Sequence, residues 1–149
     1  MTEALHRLLG SDLAADPAFL LARARAVTSG VANARLAPFR LKVRSLSVLW
    51  LAGQGFGPSQ RELSEFLGLD PSQVVALIDD LQGRGLVERR PDDRDRRSRI
   101  IVATPAGHEL LEQALTEVRA AGDTSFAALT DDERKTLTGL LTKVAFGGR

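Results

Sequence analysis

Residues 59–86 read SQRELSEFLGLDPSQVVALIDDLQGRGL, and this stretch decides the fold. Ser59 with Glu62 three residues later makes a capping box: the serine hydroxyl takes a first-turn N–H while the glutamate reaches back. Leu63, Phe66 and Leu67 give the helix that follows its apolar face, and Gly68 stops it. Asp70-Pro71 restarts the chain as an N-cap followed by proline at the first helical position. Val74, Leu77, Ile78 and Leu81 then fall at i, i+3, i+4 and i+7, which is one buried stripe, and Gly83 and Gly85 bracket its end. Two short helices joined by a tight turn containing glycine are the helix-turn-helix pattern.

Working outward, Leu86–Arg90 and Arg99–Ala103 are short strand-like runs on either side of a polar tip, PDDRDRR, at residues 91–97. That arrangement predicts a β-hairpin, and a hairpin directly after a helix-turn-helix is a wing. Upstream, Asp16-Pro17 opens a helix whose apolar residues Leu20, Ala24, Val27 and Val31 recur at helical steps until Pro38 ends it. A second helix spans about 42–52, with Leu46, Leu49 and Trp50 on one face, and the glycine-rich segment 53–58 is a turn or short extended piece. Downstream, Thr104-Pro105 caps a helix carrying Leu110, Leu111, Leu115 and Val118, and a second capping box, Thr130 with Glu133, opens a last helix. The expectation is six helices and one hairpin. The fold class is mainly α with a small β-hairpin wing, a winged helix-turn-helix with N- and C-terminal dimerisation helices. Residues 38–104 are expected to form the winged-helix domain, and 1–37 with 105–149, whose apolar stripes that small core cannot all cover, a helical dimerisation region or else an intramolecular bundle in a monomer.

Composition bounds the function. A length of 149 residues with 44% hydrophobic and 26% charged side chains is ordinary for one small globular domain with helical extensions. Zero cysteines exclude disulfides, thiolate metal sites and thiol redox sensing. His6 and His108 are far apart and offer no metal spacing. There is no nucleophile elbow and no phosphate-binding glycine loop, so neither an enzyme nor a cofactor or metal site is expected. No apolar run is long enough to span a membrane and the N-terminus lacks a signal-peptide pattern, so a cytoplasmic protein is expected. The net charge of +1 hides a local asymmetry. Residues 84–99 hold seven arginines against four acids, whereas residues 59–83 hold one basic side chain against five acidic ones. An arginine-rich segment at a hairpin tip is an anion-binding candidate.

These residues resemble the MarR family of bacterial transcription regulators, most specifically over 59–107. Asp79, Leu81, Gly85, Leu86, Val87 and Arg89 fill a "D-x-L-x-x-x-G-L-V-x-R" phrase. Asp95, Arg96, Arg97, Ile101, Thr104 and Gly107 fill the wing phrase "D-R-R-x-x-x-V-x-L-T-x-x-G", with Ala103 in place of the usual leucine. The resemblance implies a homodimer that grips double-stranded DNA, a repressor reading a pseudo-palindromic operator with recognition helices in major grooves and wings in minor grooves. It also implies a small-molecule effector bound between the dimer helices and the DNA-binding lobe.

Ser72, Gln73, Val75 and Ala76 occupy the outward positions of the recognition helix's first two turns, where base edges are read. Gln73 either pairs bidentately with adenine or acts as the reciprocal half of the cap with Asp70. Arg94 or Arg96 suits a narrow minor groove, while Arg97 either joins them or pairs with Asp95 to stiffen the turn. Ser59 and Gln60, at a helix N-terminus, suit phosphate contacts, and Arg84 and Arg89 are either backbone contacts or solvated charges. Phe39, Leu41, Leu46 and Trp50 are either core or effector-pocket residues. Ala76 and Asp80 stand where relatives often carry polar or basic side chains. They keep open a second reading, a winged-helix module that binds a protein rather than specific DNA.

Overall fold

In the computed structural model, residues 2–93, 95 and 97–147 are described. The chain divides into two compact units, one of residues 32–119 and one of residues 1–31 with 120–149.

Unit 32–119 is built on the capped helices that its sequence dictates. Helix α3 (Val43–Gly53) starts where the Asn33 side chain accepts from the Val43 N–H at 2.8 Å, a cap supplied from ten residues upstream. Helix α4 (Gln60–Leu67) begins with both halves of the capping box formed: Ser59 Oγ accepts from the Glu62 N–H, and Glu62 Oε2 accepts from the Ser59 N–H. Gly68 closes it with φ of 60°, a left-handed turn that a Cβ would strain. Helix α5 (Pro71–Gly83) follows at once. Strands β1 (Val87–Pro91) and β2 (Arg99–Ala103) pair antiparallel, from Val87 opposite Ala103 to Pro91 opposite Arg99. A bridge between Ser59 and Ile100, with the Ile101 N–H donating to the Pro58 carbonyl at 2.8 Å, adds the segment before α4 as a third partner at the wing's root.

The core of this unit gathers Leu36, Leu49, Leu63, Val74, Ile78, Leu81, Val87 and Ile101, all fully buried. Phe66 departs from the expected apolar face: it is 56% exposed, and Ser64 takes the buried place, its Oγ donating to the Leu69 carbonyl at 2.6 Å. A hydroxyl whose hydrogen bond closes the turn costs little to bury, so α4 rolls toward Leu63 and Ser64.

Thr104 closes the wing. Its Oγ1 donates to the Gly85 carbonyl at 2.6 Å and accepts from the Gly107 N–H at 3.0 Å. A Cβ on Gly107 would lie 2.0 Å from the Leu86 carbonyl oxygen, so the threonine-to-glycine spacing of the wing phrase is a packing requirement. Helix α6 (Pro105–Ser125) starts here.

Unit 1–31 with 120–149 is helical. It contains α1 (Glu3–Leu8), most of α2 (Pro17–Leu36) and α7 (Asp131–Phe146), whose N-cap Thr130 forms the predicted box with Glu133. Helix α1 is absent from the six expected from the sequence, because its six residues carry no N-cap side-chain bond and no buried residue to create a periodic signal. Arg134 ties α7 to the end of α6 through Asp123 at 3.1 Å and the Phe126 carbonyl at 3.0 Å. Among the described residues no helix is long and apolar enough to cross a membrane.

Candidate nucleic-acid interface

The N-terminus of α5 is fixed before any ligand arrives. Asp70 Oδ1 accepts from the Ser72 N–H at 2.8 Å and from the Ser72 hydroxyl. The Ser72 side-chain bond, then its backbone bond, holds the Asp70 carboxyl below its usual range. Val74, Ile78 and Leu81 are fully buried, which fixes the rotation of α5 about its axis. Ser72, Gln73 and Ala76 are consequently exposed, and Val75 is half-buried. The Gln73 side chain takes no part in the cap, and among the described residues its amide has no partner within the chain. An unpaired carboxamide beside a methyl surface at a helix N-terminus can offer donor and acceptor to one adenine and apolar contact to a neighbouring thymine.

The basic residues divide into two groups. Arg89 turns onto α5, its two terminal nitrogens donating to Gln82 Oε1 at 2.7 Å and Asp79 Oδ1 at 2.6 Å. Arg84 also turns inward, donating to the carbonyls of Phe39 at 2.8 Å and Arg40 at 2.9 Å. Both guanidiniums are therefore used in joining segments of this unit. Arg97 is exposed at the wing tip, where Asp95 Oδ1 accepts from its main-chain N–H at 3.0 Å, so the aspartate orders the turn through the backbone. Arg94 and Arg96, the two minor-groove candidates, lie outside the described residues. Ser59 and Gln60 are half-buried at the start of α4, with the Ser59 hydroxyl engaged by Glu62. Sequence reasoning missed the Arg90–Glu88 pair, two residues on the same strand.

The four pocket candidates separate as well. Leu41 and Leu46 belong to the core, Phe39 packs against it, and Trp50 is 41% exposed outside it. An open groove of about 310 Å³ in the same unit is lined by Leu51, Gln54, Phe56, Pro58, Glu62, Leu63 and Phe66, none of those four.

A helix-turn-helix, a wing rooted on its first helix and an exposed α5 edge make a winged-helix DNA reader in geometry, and comparison with known proteins agrees. The model of the MarR family matches residues 41–98. A MarR-family transcriptional regulator from Rhodococcus sp. RHA1 is 40% identical, with 93% of this chain and 98% of that one aligned at a TM-score of 0.86. The chain belongs to the MarR family. CouR from Rhodococcus jostii RHA1, solved bound to p-coumaroyl-CoA, is also 40% identical, with 92% of this chain and 96% of that one aligned at a TM-score of 0.84. Among curated proteins, the HTH-type transcriptional regulator YwaE of Bacillus subtilis is 28% identical over 74% of this chain, which spans 64% of that protein's length. For this MarR-family chain, the reading as a DNA-binding transcription regulator stands over the reading as a protein-interaction module.

Proposed function

We propose that this protein represses transcription by binding a pseudo-palindromic duplex operator as a two-fold dimer, and that a small organic ligand releases it. One observation carries the reading most directly: the buried stripe of α5 turns Ser72, Gln73 and Ala76 outward at its N-terminus, where the Gln73 amide has no partner among the described residues. That edge selects sequence. General attraction comes from the wing arginines Arg94, Arg96 and Arg97, because the acidic stretch 59–83 repels phosphates. Gln60 contributes through its main-chain N–H at the start of α4, where the Ser59 N–H and hydroxyl are already engaged by Glu62.

The dimer reading rests on where apolar surface remains. Of the thirteen large hydrophobic side chains left exposed among the described residues, ten lie in residues 1–31 and 120–149. An identical partner covers such a surface with the least new sequence, and two-fold pairs are the commonest assembly. Residues 1–37 and 105–149 then dimerise while 38–104 read DNA. The protein acts by binding alone, on the nucleoid in the bacterial cytoplasm. The acyl-CoA thioester named with CouR, at 40% identity, makes this ligand class the first effector to test.

Selecting bound fragments from genomic DNA tests the proposal. Enrichment of one two-fold symmetric motif supports it, and recovery of fragments with no shared motif opposes it. Sedimentation as a single 16.1 kDa species at micromolar concentration opposes the dimer.

A further inference from the structure

We infer that Arg84 is a positioning residue for the recognition helix and not a phosphate contact, an inference that rests on the DNA-binding reading above. Arg84 stands at the C-cap of α5, and its side chain is only 19% exposed. One guanidinium nitrogen donates to the Phe39 carbonyl at 2.8 Å, and the other to the Arg40 carbonyl at 2.9 Å. The bond thus joins the end of the recognition helix to a loop 44 and 45 residues earlier in the chain. That loop is a firm anchor. Leu41 is buried in the core, and Arg40, at φ 53°, is the one described non-glycine residue in the left-handed region.

Asp80 completes the arrangement. Its carboxylate lies 3.5 Å from the Arg84 guanidinium, one helical turn away. An acid at this position is unexpected on a DNA-binding surface, and here it orients the cation that makes the clamp. Swinging Arg84 out to a phosphate would leave two carbonyls without their donor and Asp80 uncompensated beside an anionic backbone. The apolar stripe of α5 sets which face is buried, whereas two hydrogen bonds from one guanidinium fix the tilt of its C-terminal end. Gln73 sits eleven residues away, about 16 Å along the axis, so a small tilt at the clamp moves the base-reading edge appreciably.

Arg84→Met and Arg84→Lys are compared with wild type on the selected operator and on an unrelated duplex across a salt series. Lysine cannot reproduce the fork, so both variants should lose about tenfold in the ratio of specific to non-specific affinity. Their non-specific affinity and salt slope should match wild type. A slope lower by about one in Arg84→Met, with Arg84→Lys close to wild type on both duplexes, would mean a phosphate contact and overturn the inference. So would a lowered Tm with an unchanged ratio where the variants are fully folded. If neither variant folds, Asp80→Asn keeps both carbonyl bonds and loosens the guanidinium, and an unchanged ratio there overturns it equally. Wild type showing no operator preference sinks the parent reading and this one together, and that failure is visible in the wild-type arm alone.

Discussion

Arg89 on the first strand of the wing and Asp79 on the recognition helix are joined by a 2.6 Å hydrogen-bonded ion pair. Ten residues separate them in sequence, and Gln82 takes the other terminal nitrogen of the same guanidinium at 2.7 Å. The pair makes the wing's base and the C-terminal half of α5 one body. The Asp79 and Arg89 positions of the family phrase therefore have a mechanical use in this chain. Arg89→Ala and Asp79→Ala should each destabilise the protein, and their double-mutant cycle should show a coupling of about 0.5–1 kcal/mol, as for a partly exposed pair of good geometry. Urea unfolding measures it, and strictly additive single effects would contradict the pairing.

Gly107 packs against the Leu86 main chain too closely for a side chain, with only 2.0 Å between an added Cβ and the carbonyl oxygen. Gly107→Ala must push the start of α6 away from the wing's closure by Thr104. The expected loss is about 2 kcal/mol or more, the range of backbone-clashing substitutions, seen as a Tm several degrees lower. A variant with wild-type Tm would show that this approach is not obligatory.

Among the exposed carboxylates that cap helices, two are held below their ordinary values: Asp70, from 3.8, chiefly by the Ser72 hydroxyl, and Glu133, from 4.5, chiefly by the Thr130 main-chain N–H. A depressed native pKa means that the unfolded chain binds more protons near and below these values, so stability rises with pH there. The capping contribution should be fully present at neutral pH and should be lost as the pH falls below about 4.5 and on through the lowered values. Asp70→Asn keeps an acceptor at the cap, so its stability should fall less steeply than wild type over this acid window. Denaturant midpoints taken from pH 7 to 3 check it. Parallel curves would remove Asp70 from the account.

At the wing, Arg94→Ala and Arg96→Ala should each lower the slope of log affinity against log salt by about 0.9 for every phosphate neutralisation lost. Anisotropy titrations of a labelled duplex at several salt concentrations supply the slope. If both variants keep the wild-type affinity and slope, the wing is not the source of general attraction.

The local parts of the fold were legible because their causes are local. Ser59 with Glu62, Thr130 with Glu133 and Asp70-Pro71 mark helix starts within four residues, and all three helices begin there. The period of Val74, Ile78 and Leu81 left Ser72, Gln73 and Ala76 outside, where the structure has them, while Val75, read as outward with them, is half-buried. What could not be read was the destination of the long cations. Arg84 and Arg89 find partners in other elements, and neither spacing nor charge count shows whether a guanidinium turns toward solvent or toward a carbonyl 45 residues away. The exposure of Trp50 and Phe66 was hidden for a related reason, since helical spacing defines an apolar face without saying how far a neighbour covers it.

The central claim is that α5 and the wing together prefer one duplex sequence over others. The direct measurement is equilibrium binding of the purified protein to the selected operator and to an unrelated duplex of equal length and charge, at matched near-physiological salt. The account predicts a preference of at least about a thousandfold for the operator, the lower end for specific DNA binding. Equal affinity for both duplexes and for a non-nucleic polyanion at low ionic strength would contradict it.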